Sequence, residues 1–370
     1  MNKSLRRVMF SISAPVMAIV FAVVFSSVVL LISGSNPIEA YIDMFEHASK
    51  LETQVDILNR ATPLYLSGVA AAIGFRMNLF NIGVEGQYLL AYLFAAAAGS
   101  VVSLPAPLHI LFILLVGMVV GGAYAGIAGV LKVTRGVNEV ISTIMLNAIA
   151  ISGLIAWLLM SWQAGGEIQS SRVGTTPIDP SGLLPNINSW IELVTREIRQ
   201  GKELTAVLII AILVGIGYHM VLNRTVFGYD LRASGGNPFA ARVGGIPPKK
   251  MVVAAMVFSG AIAGLVGMPE LMNSGIFPSN PIKGLGFAGI AVALVGRNHP
   301  VGIAMGAMIF AFLDVSSGVL QFTGAASREI VVIMQGVIIL AAVVTYEIVR
   351  RIQEREEAAA AAAALTGGGS

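Results

Sequence analysis

The sequence of 370 residues contains no cysteine and few charged residues. Without cysteine, the chain can form neither a disulfide nor a thiolate metal site. Only 12% of its residues are charged, about half the share found in soluble domains, whereas 56% are hydrophobic. Several long apolar runs account for this imbalance, so we expect an all-α polytopic membrane protein.

Signatures of metal, nucleic-acid and nucleotide binding are also missing. The histidines are scattered without metal-ligand spacing, and a formal net charge of +3 gives no support to a nucleic-acid partner. The stretch "GLGFAG" matches the dinucleotide fingerprint, but it opens a short apolar segment instead of following a strand. Because no P-loop motif is present either, we expect the chain to bind no ATP through a P-loop.

Ten apolar segments are candidate membrane crossings. They are 10–32, 61–75, 82–102, 108–131, 137–160, 204–222, 251–271, 285–295, 301–322 and 330–349. A helix needs about 20 residues to cross the hydrocarbon region, so 61–75 and 285–295 are short. The first segment is longer than the apolar core of a signal peptide, so we predict a retained helix; a cleaved signal peptide is the alternative.

The distribution of basic residues predicts that both termini are cytoplasmic. Most of the 23 lysines and arginines lie at the ends assigned to the cytoplasm, notably in 132–135 and 224–250. The polar segments 34–60 and 163–203 are then extracellular, and we expect ordered caps with a short amphipathic helix each, such as 37–50. We assign 1–350 to one transmembrane domain and no function to the low-complexity tail 351–370.

Glycines recur four residues apart in several of the predicted helices. Small residues at this spacing line one helix face and allow two helices to approach closely. We interpret them as internal packing positions, and a dimer seam is the alternative. The pairs are Gly117/Gly121, Gly122/Gly126, Gly260/Gly264 and Gly302/Gly306.

A cluster of polar residues follows the short segment 61–75. It comprises Asn78, Asn81, Glu85 and Gln87, and two glycines lie among them. Irregular backbone at membrane depth persists only where it is buried in protein or lines a water-filled cavity. We predict a broken helix beside a polar route through the membrane, with 285–295 as a second interrupted segment. A cytoplasmic loop without a special role is the alternative.

Three further polar residues lie within or at the mouth of predicted crossings. Asn147 either bonds a neighbouring helix or faces the route, and Asn138 is expected to cap a helix. Asp314 is a lone acid without a His, Glu or Lys relay. An ion-coupled secondary transporter, which would need a membrane carboxylate such as Asp314 or Glu85, is therefore the weaker hypothesis.

The cytoplasmic segment 223–250 contains a short predicted helix with a defined start and end. Asn237 is a candidate N-cap, Pro238 suits the first helical position and 239–243 continues the helix. Two glycines end it, and we expect Pro247 and Pro248 to prevent a restart. Such a helix can transmit force from a cytoplasmic partner; a plain connecting loop is the alternative.

Four phrases carry a resemblance to a known family. In order along 63–346, "NLFNIGVEGQ", "RGVNEVISTIMLN", "GGNPFAARVGGI" and "GFAGIAVALVGRNHPVG" resemble the membrane permeases of ABC importers. The branch that handles simple sugars, nucleosides and branched-chain amino acids is the most similar, and nucleoside permeases within it most of all. The first phrase departs from ribose-type relatives, which disfavours pentoses.

The resemblance implies an arrangement of several chains in a bacterial cell membrane. Cytoplasmic ABC ATPase subunits bind ATP and Mg, so no cofactor and no catalytic residue is expected in this chain. A second permease chain, expected to be a different one, completes the pathway, and an extracellular lipoprotein delivers the substrate. Nucleosides are the expected substrate; simple sugars or branched-chain amino acids are the alternatives.

The family motifs also assign roles to individual positions. The ATPase-coupling residues are Gly236, Asn237, Pro238, Ala240, Ala241, Gly244 and Ile246. The residues expected along the substrate pathway are Asn81, Glu85, Gln87, Phe287 and Ile290, to which the polar pattern adds Asn78 and Asn147.

Overall fold

The computed structural model describes residues 20–162 except 22, then 174–184, 187, 203–322 and scattered positions between 327 and 352. Within these residues the regular structure is helical, apart from isolated bridge positions such as the antiparallel pair Gly174 and Pro278. The all-α prediction is confirmed for this part of the chain. The predictions for the start of the first crossing, for most of 163–203 and 330–349, and for the tail lie outside the described residues.

The helices of the described residues have the following order along the chain. They are α1 Val23–Ile32, α2 Pro37–Ser49, α3 Leu51–Arg76, α4 Val84–Val101, α5 Ala106–Arg135, α6 Glu139–Ile149, α7 Ile155–Trp162, α8 Val207–Arg224, α9 Val226–Gly236, α10 Pro238–Val243, α11 Pro248–Ala263, α12 Met268–Ser274, α13 Leu285–Val295, α14 Pro300–Ser316 and α15 Gly318–Phe322. A π-helical turn, Ala150–Leu154, joins α6 to α7.

Several of these helices are long and apolar enough to cross a membrane. Among the described residues five qualify, namely Ala106–Arg135, Glu139–Trp162, Val207–Arg224, Pro248–Ser274 and Pro300–Gln321. A sixth is added if α1 and α2, bent by 118°, count as one span. Helix α13 has the predicted bounds and only 11 residues, so it is too short to cross alone. The membrane character of the chain is thereby confirmed, while the number of ten crossings stays a prediction.

The chain forms two compact units, Met1–Lys50 with Phe312–Ser370 and Leu51–Ala311. In the first, the predicted amphipathic helix is confirmed as α2, whose N-cap Asn36 accepts a hydrogen bond from the Ile38 amide. The aromatic rings of Phe45 and Phe312 pack 5.4 Å apart. The buried core of this unit consists of Leu30, Ala40, Met44, Leu320 and Met334.

In the second unit, α3 is the central helix. The predicted start of this helix at residue 61 is wrong, because the helix already begins at Leu51. The polar stretch 51–60 is part of the helix, and its apolar residues Val55 and Ile57 are buried. Hydropathy alone does not detect this burial. Pro63 lies inside the helix and is buried without ending it.

Glycines bring α5 and α11 into backbone contact. A Cβ added to Gly121 would meet the carbonyl oxygen of Gly260, and one added to Gly264 would meet the backbone of Gly117. The internal-packing interpretation is therefore confirmed for these positions.

Residues 174–184, the main described part of the segment 163–203, are ordered. The Thr175 amide donates to the Phe277 carbonyl over 3.0 Å, and the Ile178 amide donates to Gly275 over 2.8 Å. Hydrogen bonds from the Ser181 backbone and hydroxyl hold the pKa of Asp179 below its ordinary value. Residues 174–184 thus fit the expectation of an ordered cap.

We expect Gly121→Ala to lower the melting temperature of the purified protein. The added methyl group would meet the Gly260 carbonyl oxygen, and overpacking of this kind costs about 1–3 kcal/mol. Gly217→Ala in α8 is the matched control, because no atom lies within 4 Å of its added Cβ. Alanine favours helices over glycine by about 1 kcal/mol, so the control should be neutral or stabilising. Equal shifts in both variants would contradict the packing argument.

Candidate functional site

The predicted break between α3 and α4 is confirmed. Helix α3 ends at Arg76, where the Leu79 amide donates back to the Gly74 carbonyl over 3.0 Å, and α4 begins at Val84. Asn78 is exposed and has φ 56°, in the left-handed region that asparagine tolerates better than most residues. Its position in the turn explains why an asparagine suits this point.

The carboxylate of Glu85 connects two helix N-termini. Glu85 lies in the first turn of α4, and its side chain accepts hydrogen bonds from the backbone amides of Gly284, at 2.6 Å, and Gly286, at 2.7 Å. The Tyr88 hydroxyl shares its single proton between the Ile282 carbonyl, at 2.5 Å, and the same carboxyl group, at 3.2 Å. Glu85 is only 3% exposed. A negative charge at this place stabilises both the free amides and the dipole of α13.

The glycines of "GLGFAG" let α13 pack against α3 and α4. Gly284 has φ 90°, which a side chain would strain, and a Cβ at Gly286 would collide with the Glu85 backbone. Gly289 lies against Ser67, whose hydroxyl donates to the Leu285 carbonyl over 2.8 Å. The motif therefore serves helix packing.

A second buried network joins the break to two more helices. The side-chain amides of Asn81 and Gln87 bond each other in both directions, at 2.9 and 2.8 Å. Asn81 also donates to the Ser259 hydroxyl, which in turn donates to the Ala70 carbonyl over 2.6 Å. Both amides are at most 2% exposed. Their hydrogen-bonding groups are therefore occupied within the protein.

Asn147 takes the first of its two predicted roles. Its oxygen accepts from the Gly86 amide at 2.8 Å, and its nitrogen donates to the Ile82 carbonyl at 2.8 Å. These two hydrogen bonds link α6 to the start of α4. Asn138 caps α6 as predicted by accepting from the Val140 amide.

The seven predicted pathway residues fall into two groups. Asn81, Glu85, Gln87 and Asn147 are buried and hydrogen-bonded around the break. Phe287 is 57% exposed and Ile290 is half-buried on α13, while Asn78 is exposed in the break itself. The structure brings the first group together around the break, whereas the second group reaches accessible surface.

A cavity of about 230 Å³, with charged and amide side chains in its lining, lies beside this arrangement. Residues from α3, α4, α12 and the ends of α11 and α13 surround it; they are Asp56, Asn59, Arg60, Pro63, Tyr88, Tyr92, Thr205, Val266, Gly267, Pro269, Glu270, Asn273, Ile282 and Leu285. Sequence reasoning missed this set because it assigned 51–60 to an external cap. The available signal was the spacing of positions 56, 59, 60 and 63, which share one helix face.

The predicted short helix after Asn237 is confirmed as α10. The side chain of Asn237 accepts from the amides of Phe239 and Ala240, each at 3.0 Å, and Pro238 takes the first position. The helix ends at Gly244, and the following Gly245 has φ 82°.

The expectation that the two prolines prevent a restart is wrong. Helix α11 begins at Pro248, with Pro247 as its N-cap residue. The first turn of a helix needs no amide donor from proline, so this residue starts a helix well.

The surroundings of α10 connect it to the break. Phe239 is 78% and Val243 is 91% exposed, whereas Ala241 is buried. Before α10, Gly235 lies so close to Arg76 and Met77 that a Cβ there would collide with their backbone. Movement of the α9–α10 segment would therefore act directly on the end of α3.

In the part of the chain that the structure describes, no group of three or more His, Asp or Glu side chains could hold a metal ion.

Comparison with known proteins gives consistent matches over most of the chain. Residues 54–343 match the family described as branched-chain amino acid transport system / permease component. The guanosine ABC transporter permease protein NupP of Bacillus subtilis is 31% identical over 325 residues, which cover 86% of this chain and 89% of the relative. No solved structure gives a significant match.

Two further relatives have similar coverage and different names. The nucleoside ABC transporter permease protein NupB of Lactococcus lactis is 31% identical over 319 residues, or 85% of both chains. The glucose ABC transporter permease protein TsgB13 of Haloferax volcanii is 30% identical over 327 residues, covering 86% of this chain and 84% of the relative.

We expect Glu85→Ala to release the N-terminus of α13. Hydrogen bonds to charged groups contribute about 1.5–3 kcal/mol each. This substitution removes the acceptor of two such bonds, those from the Gly284 and Gly286 amides. Hydrogen exchange measured by mass spectrometry should become faster in peptides that contain 284–288. Glu52→Gln in α3, where Glu52 is not among the residues around the cavity, is the control and should leave exchange unchanged. Unaltered protection in Glu85→Ala would contradict the capping role.

Proposed function

The chain belongs to the branched-chain amino acid transport system / permease component family, and we propose that it is the permease subunit of an ABC importer for nucleosides. The main support for a nucleoside substrate is the sequence identity of 31% to a guanosine permease and to a nucleoside permease over most of each chain. The glucose permease at 30% identity makes sugar the second candidate.

The proposed topology has ten crossings with both termini in the cytoplasm of a bacterial cell, in the plasma membrane. The spans qualifying by length and composition and the basic residues beside them support this arrangement. It places α9 and α10 inside the cell and 174–184 outside. We treat 1–350 as one permease domain.

The geometry of the break supports an uncharged substrate. A free helix N-terminus attracts anions, but at α13 the carboxylate of Glu85 already occupies the amides. A second negative charge there would be repelled. Nucleosides and sugars satisfy this condition, whereas nucleotides do not.

Within the proposed pathway, the predicted residues have different tasks. Phe287, Ile290 and Asn78 face accessible space, and the ring of Phe287 offers a face on which a base could stack. The buried side chains of Asn81, Glu85, Gln87 and Asn147 hold the helices that present them.

The exposed side of α10 is the proposed docking point for an ATPase subunit. Two large apolar side chains, Phe239 and Val243, project from a short helix that is capped at Asn237. The other proposed coupling residues lie within α10 or directly beside it; they are Gly236, Pro238, Ala240, Ala241, Gly244 and Ile246. ATP and Mg belong to the partner, and a movement of α10 would reach Arg76 and Met77 through Gly235. A second permease chain and an extracellular lipoprotein complete the proposed assembly.

We expect Val243→Asp to reduce co-purification of the ATPase subunits by tenfold or more, because a charge would be buried in the interface. Val101→Asp is the matched control, since Val101 is similarly exposed, at 82%, but lies at the end of α4 that is proposed to be extracellular. Replacing 237–245 by a flexible linker should abolish co-purification. If the linker variant still binds the ATPase and transports, the docking proposal is wrong.

The substrate is tested in liposomes that contain the complete complex and its receptor. We expect ATP-dependent accumulation of labelled guanosine and no accumulation of guanosine monophosphate. Uptake of glucose without uptake of any nucleoside would favour the second candidate. Accumulation by the chain alone under a proton or sodium gradient would instead support a secondary transporter.

A further inference from the structure

We propose that the cavity beside the break is a binding site for the sugar diol of an uncharged nucleoside. This inference rests on the proposed function. It adds a substrate-binding site within this chain, formed by α3, α4 and α12. We call it the diol cavity, and its residues are those given above for the volume of about 230 Å³.

One wall of the diol cavity is a polar face of α3. Asp56, Asn59 and Arg60 lie on this face within little more than one turn. Asn59 fixes the wall, because it donates to the Glu203 carbonyl at 2.8 Å and accepts from the Thr205 amide at 3.0 Å. A second helix, α12, contributes the carboxylate of Glu270 and the amide of Asn273 to the lining.

Two tyrosines form a rigid wall of the diol cavity. The hydroxyl of Tyr88 donates to the Ile282 carbonyl at 2.5 Å, and that of Tyr92 donates to the Ile276 carbonyl at 2.8 Å. Because both hydroxyls are occupied, the rings offer apolar surface to the cavity. Tyr88 also bonds Glu85, so this wall is continuous with the link to α13.

The chemistry of the lining matches two neighbouring hydroxyl groups. Carboxylates accept hydrogen bonds, a guanidinium donates several, and a primary amide does both. A vicinal diol supplies two donors and four acceptor positions within a small volume. Asp56 and Glu270 can accept from the hydroxyls while Arg60 and Asn273 donate to them. Aromatic surface beside such groups suits the apolar face of a sugar ring.

The charge of the lining disfavours phosphorylated ligands. The charged side chains around the diol cavity are two carboxylates, Asp56 and Glu270, and one guanidinium, Arg60. Lys283 is exposed and follows the lining residue Ile282, but it is not part of the lining. A phosphate group would therefore meet more negative than positive charge in the cavity.

The volume of the diol cavity fits the sugar rather than a whole nucleoside. Pockets that enclose drug-sized ligands measure about 300–1,000 Å³. A second cavity of this unit, about 580 Å³ between α3, α8 and α14, is larger but is lined almost entirely by apolar side chains such as Leu208, Ile212 and Met308. It offers a diol few hydrogen-bond partners, so we assign the sugar to the smaller cavity.

The experiment compares guanosine with dideoxyguanosine, which lacks both ribose hydroxyls of the diol. Uptake into liposomes that contain the complete complex gives kcat/KM for each compound in the wild type, in Glu270→Gln and in Asp56→Asn. The same receptor delivers both compounds in every assay. Its own preference therefore cancels when the ratio of kcat/KM for guanosine to that for dideoxyguanosine is compared between variants. Glu52→Gln, on α3 but outside the cavity lining, is the control.

We expect Glu270→Gln and Asp56→Asn to lower kcat/KM for guanosine about tenfold and to leave that for dideoxyguanosine unchanged, because only the diol loses a charged partner. The ratio of kcat/KM for guanosine to that for dideoxyguanosine should be the same in the wild type and in Glu52→Gln. An equal loss of kcat/KM for both compounds would indicate a structural role and overturn the inference. Unchanged kcat/KM for both compounds in both variants would also overturn it. In those two cases guanosine transport by the wild type would leave the proposed function intact. If the wild type takes up no nucleoside at all, both proposals fail.

Discussion

The hydrogen bonds from Gly284 and Gly286 to Glu85 hold together the parts of the molecule that a transport pathway would need. Helix α13 is too short to cross a membrane alone, and its first amides need acceptors from outside the helix. A carboxylate from α4 supplies the missing acceptor and is itself surrounded by three donors, two amides and the Tyr88 hydroxyl. The wall of the diol cavity and the orientation of Phe287 depend on this attachment.

A second layer of contacts relates the break to the α9–α10 segment. Asn81 and Gln87 connect the break with α11 through Ser259, and Asn147 connects it with α6. The close approach of Gly235 to Arg76 and Met77 places the α9–α10 segment against the end of α3. The helices that an ATPase would move and the helices that a substrate would pass are therefore in direct contact.

Much of this arrangement could be predicted from the sequence, since local signals decide it. The Asn–Pro start and Gly–Gly end of α10, the bounds of α13 and the glycine faces of α5 and α11 all follow from short patterns with a physical cause. The break after Arg76 followed from polar residues and glycines in an apolar chain. Local chemistry of this kind acts within a few residues.

What the sequence could not show depends on distant partners. Hydropathy placed the start of α3 too late, because burial of Val55 and Ile57 is decided by tertiary packing. Glu85 could be recognised as unusual, but not as the acceptor for amides some two hundred positions later in the chain. Asn81 and Gln87 were expected to face a polar route, whereas each satisfies the other. A polar side chain in an apolar helix has the same sequence signature in both cases.

The mutual pairing of these buried groups limits how the molecule can change shape. In a low-dielectric interior, a donor or acceptor that is only half engaged loses most of its stabilisation, so gradual sliding of α13 past α4 is unfavourable at every intermediate position. Rearrangement then proceeds by exchange of one complete bonding pattern for another. A pathway controlled in this way has discrete conformations. It resists leakage of solutes while it changes from one conformation to another.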